Sequence, residues 1–182
     1  MLDLRRRAGS RMSTFTGGGL EGSAGWAASA LGEVYHIGLR VPDIHVAQAE
    51  LSASMGLQWA PPQHIDMKPW LPGEGYKELE ISLTESVEGP VHVELSQGTP
   101  GSIWDATLGA GLHHFGVWVD DVGGTVDALV REGWTVEMAA LAPEEGYGHF
   151  AYIRSPSGVV FEPVSAGYKE KHARWWAGGS LA

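Results

Sequence analysis

Cysteine, positive charge and long apolar runs are all scarce in this chain of 182 residues. It has no cysteine, which excludes disulfide bonds and thiolate chemistry. It has 12 Lys and Arg but 22 Asp and Glu. This net charge of −10 argues against nucleic acid or an anionic membrane surface as a partner. No segment approaches the ~20 consecutive apolar residues that cross a bilayer. We therefore expect a globular protein of the cytoplasm, with neither a nucleic-acid nor a membrane partner.

One supersecondary unit is present twice. In residues 35–44 a His opens an alternating apolar run that leads to an acidic turn and a helix start, and residues 113–122 repeat this pattern. Asp43 and Asp121 can cap the two helices, and Gly56 and Gly133 can end them. Strand-like segments follow each helix, at residues 57–60, 77–83 and 91–96 in the first copy and 135–138, 150–154 and 159–164 in the second. The predicted unit is strand, helix and three strands.

The repeat predicts the organisation of the chain. We expect a flexible leader at residues 1–32, a first βαβββ module at 33–97, a turn-rich linker at 98–111 and a second βαβββ module at 112–165. Residues 166–182 carry a Trp pair and are expected to form a tail or short helix that packs on the domain or on a partner. The glycines at 17–19 follow no strand, so they make no phosphate loop. The fold class is α+β.

Side-chain alternation places two histidines and two carboxylates at equivalent positions. Residues two apart share a face of a strand, so His36 and His114 both lie on the face opposite the apolar residues of their strands. On the last strand of each module, Glu94 lies opposite its apolar neighbours, and Glu162 lies in an almost wholly apolar strand. A buried carboxylate of this kind needs a partner.

Two facing modules would bring these four side chains together. Imidazole nitrogens and carboxylate oxygens suit a divalent ion such as Zn, Mn, Ni, Co or Fe(II), and two carboxylates balance its charge. We therefore predict one divalent metal ion per chain. Four protein ligands on an octahedral ion leave two positions for water or for two neighbouring oxygens of a small-molecule substrate.

These motifs resemble the vicinal oxygen chelate superfamily, which includes glyoxalase I, methylmalonyl-CoA epimerase, extradiol dioxygenases and antibiotic resistance proteins. The resemblance covers about residues 33–165, with its specific marks at residues 35–43, 93–95, 112–121 and 155–162. It implies paired modules whose curved mixed sheets form a partly open barrel around a metal held by four residues, His36, Glu94, His114 and Glu162. Ring-cleaving members normally lack the carboxylate corresponding to Glu94, so the pattern is most similar to glyoxalase I and the epimerases.

The resemblance also implies a reaction. A metal-dependent isomerase, epimerase or lyase would move a proton through a metal-stabilised enediolate, with Glu162 as the first candidate for the base. Glu80 is the candidate for the further acid that epimerase-like members place on a middle strand. Two alternatives stay open, namely an Fe(II) or Mn(II) dioxygenase and a metal-free binding protein for small molecules such as antibiotics.

Four side chains are candidates for the substrate pocket. Trp118 and Tyr152 could contact an apolar or aromatic substrate, Arg40 shares a face with His36, and His92 shares one with Glu94. The repeat aligns His113 with Tyr35, on the faces away from the site, so we expect His113 to lie at the strand edge or to support a site residue from behind. A homodimer is the default expectation, and the two modules could pair within one chain or be exchanged between two.

Overall fold

Ten strands form one curled sheet with three helices packed against it. The structure is a computed structural model that describes residues 31–181, so the predicted leader lies outside the described residues except for Leu31 and Gly32. The first part of the chain forms, in order, β1 (Glu33–Arg40), α1 (Ile44–Met55), β2 (Gln63–Met67), β3 (Trp70–Leu71), β4 (Gly75–Tyr76), β5 (Leu79–Glu85) and β6 (His92–Gly98). The second part forms β7 (Gly111–Val119), α2 (Val122–Arg131), β8 (Thr135–Ala139), β9 (Ala151–Arg154), β10 (Val160–Ser165) and α3 (Lys169–Trp176). The predicted α+β class is confirmed.

The strand order shows how the two repeats meet. It runs β2-β5-β6-β1-β7-β10-β9-β8-β3-β4, with β1 and β7 antiparallel at the centre. Each central strand pairs in parallel with the last strand of its own module, β1 with β6 and β7 with β10. The two histidine-bearing strands therefore lie side by side, with the two carboxylate-bearing strands flanking them.

The edges of the sheet curl toward each other. β2 lies at one edge, yet β3 pairs near the opposite edge, where Trp70 lies opposite Ala139 of β8. Only three residue steps separate Met67 at the end of β2 from Trp70, and such a segment spans at most about 10 Å. The sheet must therefore bend into a half-barrel with an interior.

One strand prediction was wrong. Residues 57–60 contribute only an isolated bridge between Trp59 and Ser86, and the second strand is Gln63–Met67. The indole of Trp59 instead donates to Ser52 Oγ of α1 at 2.9 Å, so this segment packs against the helix. The true strand was missed because its polar residues, such as His64, face solvent and give the sequence a loop-like composition.

The predicted helix boundaries are confirmed. Asp43 Oδ1 accepts hydrogen bonds from the backbone nitrogens of His45 and Val46 at 2.9 and 3.0 Å, and Gly56 ends α1 with φ of 75°. Asp121 Oδ1 accepts from the Gly124 nitrogen at 3.0 Å at the start of α2. Because a residue with positive φ is most easily glycine, the repeated acid-to-glycine spacing identified α1 correctly.

The predicted C-terminal helix is α3, and it packs on the first module of the same chain. Trp175 is fully buried and its indole donates to the Pro61 carbonyl at 2.7 Å. The indole of Trp176 donates to Glu85 Oε2 at 2.6 Å. None of the helices within residues 31–181 has the length and apolar character needed to span a membrane.

Close packing of imidazoles on glycines joins the two central strands. His36 lies opposite Gly116, and Gly38 lies opposite His114. A Cβ atom added to Gly38 would come within 1.9 Å of the His114 ring, and one added to Gly116 within 2.3 Å of the His36 ring. Each module therefore requires a glycine where the histidine of the other module crosses its strand.

Gly116→Ala tests this packing. The added methyl group must displace the buried His36 ring, so we expect the free energy of unfolding to fall by about 1–3 kcal/mol. Urea denaturation measures the change. Gly167→Ala is the control, because its Cβ would meet only Ser165 Oγ at 3.4 Å. Equal stability of the two variants would show that the sheet adapts at this point.

Candidate metal centre

Two histidines and two glutamates converge at the centre of the sheet. Two backbone positions organise them, because Gly38 lies beside Glu94 on one neighbouring strand and His114 on the other. Gly116 lies in the same way between Glu162 and His36. The four side chains are buried, and each offers a ligand atom within 4.8 Å of the others. They come from four strands of one chain, so exchange of modules between two chains is not needed to assemble them.

The distances between these atoms fit a single ion. His36 Nε2 is 2.8 Å from His114 Nε2, and Glu162 Oε2 is 3.2 and 3.4 Å from these two nitrogens. Glu94 Oε1 is 3.7 Å from His114 Nε2. Metal bonds of about 2.1 Å place neighbouring donors roughly 3.0 Å apart in octahedral and 3.4 Å apart in tetrahedral geometry. The donor set and its spacing therefore suit a divalent transition-metal ion.

Burial and charge act on the protonation of the cluster in opposite directions. Burial lowers the pKa of His36, but the charge of Glu94 and hydrogen bonds to Glu162 and Glu85 raise it well above its usual value. Burial raises the pKa of Glu162, but hydrogen bonds to His114 and His36 outweigh this and hold it low. For Glu94 burial prevails and its pKa is raised. Glu162 is therefore ionised, and the cluster holds a proton on His36 that a cation can replace.

Glu85 is a residue of this site that the sequence reading missed. It is 1% exposed, and its Oε1 lies 3.4 Å from His36 Nδ1, a buried nitrogen with no other hydrogen-bond partner. Burial raises the pKa of Glu85, but the hydrogen bond and charge of His36 outweigh this and lower it. An ionised Glu85 favours a proton on Nδ1 and so leaves Nε2 free to bind metal. Alternation along β5 could have indicated it, because Glu85 shares a strand face with the apolar residues Ile81 and Leu83 and is therefore expected on the inner side of the sheet.

His113 has the corresponding place beside the second histidine. Its Nδ1 is 3.1 Å from His114 Nδ1. Burial, the charge of His114 and that of Arg40 lower the pKa of His113 to about 3, so its ring is neutral and can accept a hydrogen bond. His113 therefore has the supporting place behind His114 that was one of its two expected roles, whereas Tyr35, predicted on the face away from the site, lines the cavity. The strand pairing shifts register next to both residues, and such bulges re-aim side chains.

The structure does not bring Glu80 to the cluster. Glu80 is exposed and lies opposite Asp66 of β2, on the outer face of the sheet. The alternation along β5 was read correctly, but its apolar face, with Ile81 and Leu83, is the one that faces the interior. The interior acid of this strand is Glu85, so the assignment of Glu80 as a catalytic acid is corrected.

Of the four predicted pocket residues, Tyr152 lines the interior cavity and the other three do not. Trp118 stacks behind Tyr35, with ring centroids 3.7 Å apart. Arg40 donates to the Ile103 carbonyl at 3.1 Å. His92 donates to the Ser86 carbonyl at 2.6 Å and stacks on a Trp of α3. These three side chains support the barrel from outside the cavity.

The cavity begins at the cluster and has a volume of about 320 Å³. Glu94, Glu162 and Glu85 line it, together with the rings of Tyr35 and Tyr152. The two cluster histidines lie beneath this surface, at most 1% exposed. A small molecule in the cavity can therefore reach the carboxylates and any ion that they hold.

Glu85→Gln tests the role of Glu85 in orienting His36. The amide keeps the shape of the side chain but removes its charge, so the proton on His36 Nδ1 is less well stabilised. We expect metal affinity to fall by about 10–100-fold, measured by competition with a chromophoric chelator. Glu80→Gln, on the outer face of the same strand, should leave the affinity unchanged. Wild-type affinity in Glu85→Gln would show that Glu85 does not assist metal binding.

Comparison with known proteins identifies relatives by sequence and by fold. The chain is 27% identical over 138 residues to a probable lactoylglutathione lyase of Vibrio parahaemolyticus, a match that covers 73% of this chain and 90% of the relative. A variant of Streptomyces coelicolor methylmalonyl-CoA epimerase in complex with 2-nitronate-propionyl-CoA shares the fold, with a TM-score of 0.51, 17% identity and coverage of 75% and 95%. A mutant of 4-hydroxymandelate synthase from the same organism gives a TM-score of 0.50 at 15% identity and covers 76% of this chain and 51% of that chain.

The family-level match covers most of the described fold. Residues 35–152 match the pattern of one family, and the segment contains three of the four cluster residues, His36, Glu94 and His114. It begins inside β1 and ends inside β9, so it spans the central pairing of the two modules. The chain therefore belongs to the glyoxalase/bleomycin resistance protein/dioxygenase superfamily.

Proposed function

We propose that this protein is a divalent-metal-dependent enzyme of the isomerase, epimerase or lyase type. It moves a proton at a carbon next to a carbonyl group, in a small substrate that carries two neighbouring oxygens. The observation that carries the proposal is the set of two histidines and two glutamates, contributed by four strands and facing a cavity. The named relatives, a probable lyase and an epimerase, support this reaction class.

The four cluster residues, His36, Glu94, His114 and Glu162, would hold the ion. These residues would thereby supply a Lewis acid, which would polarise a substrate carbonyl and stabilise the negative charge that develops as the neighbouring carbon loses its proton. The protein contributes a buried, charge-balanced environment, because two carboxylates would face one divalent cation and none of the four residues is more than 8% exposed. In such surroundings electrostatic stabilisation of the developing charge is stronger than in water.

Glu162 is the first candidate for the general base. Its side chain lines the cavity, and as an ionised carboxylate it has an oxygen that can accept a proton. A base must also come within hydrogen-bond reach of the proton that it removes, and Glu162 lies between the imidazoles and the cavity. Glu162 would take the proton from the substrate carbon and return it to a neighbouring atom.

Other cavity groups can assist this transfer. Glu85 replaces Glu80 as the candidate for a second acid or base, because it lines the same cavity. Burial raises the pKa of Tyr35 and Tyr152, and the charge of Glu162 raises both further, so the two phenols keep their protons. They can therefore donate hydrogen bonds to substrate oxygens.

Two alternatives make different demands on the same site. An Fe(II) or Mn(II) dioxygenase is compatible with the fold likeness to 4-hydroxymandelate synthase, but it would not need Glu94 as a fourth protein ligand. A metal-free binding protein would have to bury two histidines and two glutamates without the cation that compensates their cost.

We also retain the expectation of a cytoplasmic homodimer, although the four-residue cluster is complete within one chain.

Metal analysis of purified protein tests the site. After reconstitution with Mn, Fe(II), Co, Ni or Zn and removal of free metal, we expect about one ion per wild-type chain. His36→Ala and Glu162→Ala remove one ligand each and should lose that ion. His64→Ala is the control, because His64 is exposed in a separate group with Asp66 and Glu80. Wild-type protein without metal, or full retention by His36→Ala, would contradict the proposal.

The reaction class is tested with the same loaded protein. Proton transfer predicts that deuterium from D₂O enters the carbon next to the carbonyl of α-hydroxy ketones in wild type, and that His36→Ala does not catalyse this. Oxygen consumption with the same compounds would favour the dioxygenase. If no deuterium enters these compounds and they bind equally well with and without metal, the result would favour the metal-free binding protein.

A further inference from the structure

The cavity beside the candidate metal centre separates polar from apolar groups. Its carboxylates, Glu85, Glu94 and Glu162, belong to the cluster end. Ile65 and Met67 of β2 and Ile81 and Leu83 of β5 line it as well, and all four pack in one apolar cluster of the barrel interior. A ligand that chelates at the cluster therefore places the rest of its body against hydrocarbon.

Aromatic rings form much of the remaining wall. Trp104, Phe150 and Tyr152 line the cavity, and the Trp104 indole donates to the Tyr152 hydroxyl at 3.2 Å, which satisfies the indole N–H and leaves the phenol hydrogen free to donate. The rings of Phe150 and Tyr152 meet edge to face, with centroids 6.0 Å apart. Such walls favour a flat ring through stacking and edge contacts, and the thioether of Met67 adds a further favourable partner.

The C-terminal helix α3 and the residues that follow it supply another side of the cavity. Lys171, His172 and Leu181 line it, and the indole of Trp176 holds the helix to Glu85. Lys171 is the sole Lys or Arg among the described lining residues, and its Nζ lies 5.6 Å from the ring of Tyr168. The cavity therefore offers little to neutralise a ligand that carries several negative charges.

The volume of the cavity also favours a small ligand. A volume of about 320 Å³ is near the lower end of the range of roughly 300–1,000 Å³ typical of small-molecule sites. A coenzyme A thioester is far larger and carries several phosphates, and a glutathione adduct carries two carboxylates and a flexible peptide. A single ring with a short oxygen-bearing group suits the volume and the wall chemistry better.

We infer that the substrate of this site is a compact aromatic compound with two neighbouring oxygens at one end, and not a conjugate of coenzyme A or glutathione. The inference rests on the proposed function, because the two oxygens are placed at the metal centre. It assigns the ring to the apolar wall formed by β2 and β5, where Ile65, Met67, Ile81 and Leu83 lie.

Two hydroxamates separate the ring from the chelating group. Acetohydroxamate and benzohydroxamate present the same pair of oxygens to a metal, but only the second has a ring. We expect zinc-loaded protein to bind benzohydroxamate at least about tenfold more tightly, because the ring buries additional apolar area. Isothermal titration calorimetry measures both dissociation constants. Coenzyme A and S-hexylglutathione should show no comparable binding.

A matched pair of variants locates the ring. Leu83→Ala should weaken benzohydroxamate about threefold or more and leave acetohydroxamate unchanged, since only the ring reaches this wall. Leu51→Ala is the control, because Leu51 is also partly buried but packs in the separate cluster under α1. Equal effects of both variants on benzohydroxamate would overturn the placement of the ring.

The outcomes distinguish this inference from the proposed function. If acetohydroxamate binds but benzohydroxamate binds no better, the metal centre stands and the aromatic substrate class is wrong. Comparable binding of coenzyme A or S-hexylglutathione also overturns the substrate class. If neither hydroxamate binds to protein that holds zinc, the proposed chelating function fails, and the inference fails with it.

Discussion

The site depends on the crossing of each histidine over the glycine of the other module. Gly38 and Gly116 let the imidazoles of His114 and His36 lie flat against the neighbouring strand, so the two Nε2 atoms come within 2.8 Å. The parallel partner strands then place Glu94 and Glu162 beside the same glycines. One backbone contact, repeated by approximate symmetry, thus sets the positions of all four donors. The rest of the barrel holds this contact in register and shields it from water.

The repeated scaffold supports an asymmetric set of neighbours around the two histidines. Glu85 lies beside Nδ1 of His36, whereas a neutral His113 lies beside Nδ1 of His114. An anion and a neutral acceptor stabilise a ring proton to different degrees, so the two imidazoles differ as ligands although their backbones correspond. The cavity is asymmetric as well, because its aliphatic wall comes from the first module and its covering helix follows the second. The repeated scaffold therefore supplies the donors, and the side chains in which the two copies differ supply the shape of the cavity around them.

Alternation and repeat spacing are local properties of the sequence, and they predicted the two βαβββ units and the four candidate metal donors. The curved barrel that brings the donors together was implied by the family resemblance. A His two residues before a Gly, found twice, marks the central strands, and a Glu in an apolar last strand marks their partners. Predictions from alternation were wrong where the direction of a side chain depends on an irregular strand or on the long-range curl of the sheet. Register shifts turn Tyr35 toward the cavity and place His113 against His114. The curl of the sheet makes the apolar face of β5 the inner one, which excludes Glu80 and brings in Glu85. Trp118, Arg40 and His92 were likewise placed on the correct strands, but alternation alone does not show which surface meets the cavity.

The most direct test of the account is a crystal structure of zinc-loaded protein with anomalous diffraction data collected at the zinc edge. The account predicts one anomalous peak at the centre of the sheet, within about 2.0–2.3 Å of atoms from His36, Glu94, His114 and Glu162. The side of the ion that is not covered by these four residues should open to the apolar cavity. A peak at the exposed group of His64, Asp66 and Glu80, or an ion at the centre that lacks Glu94 or Glu162 as a ligand, would contradict the account.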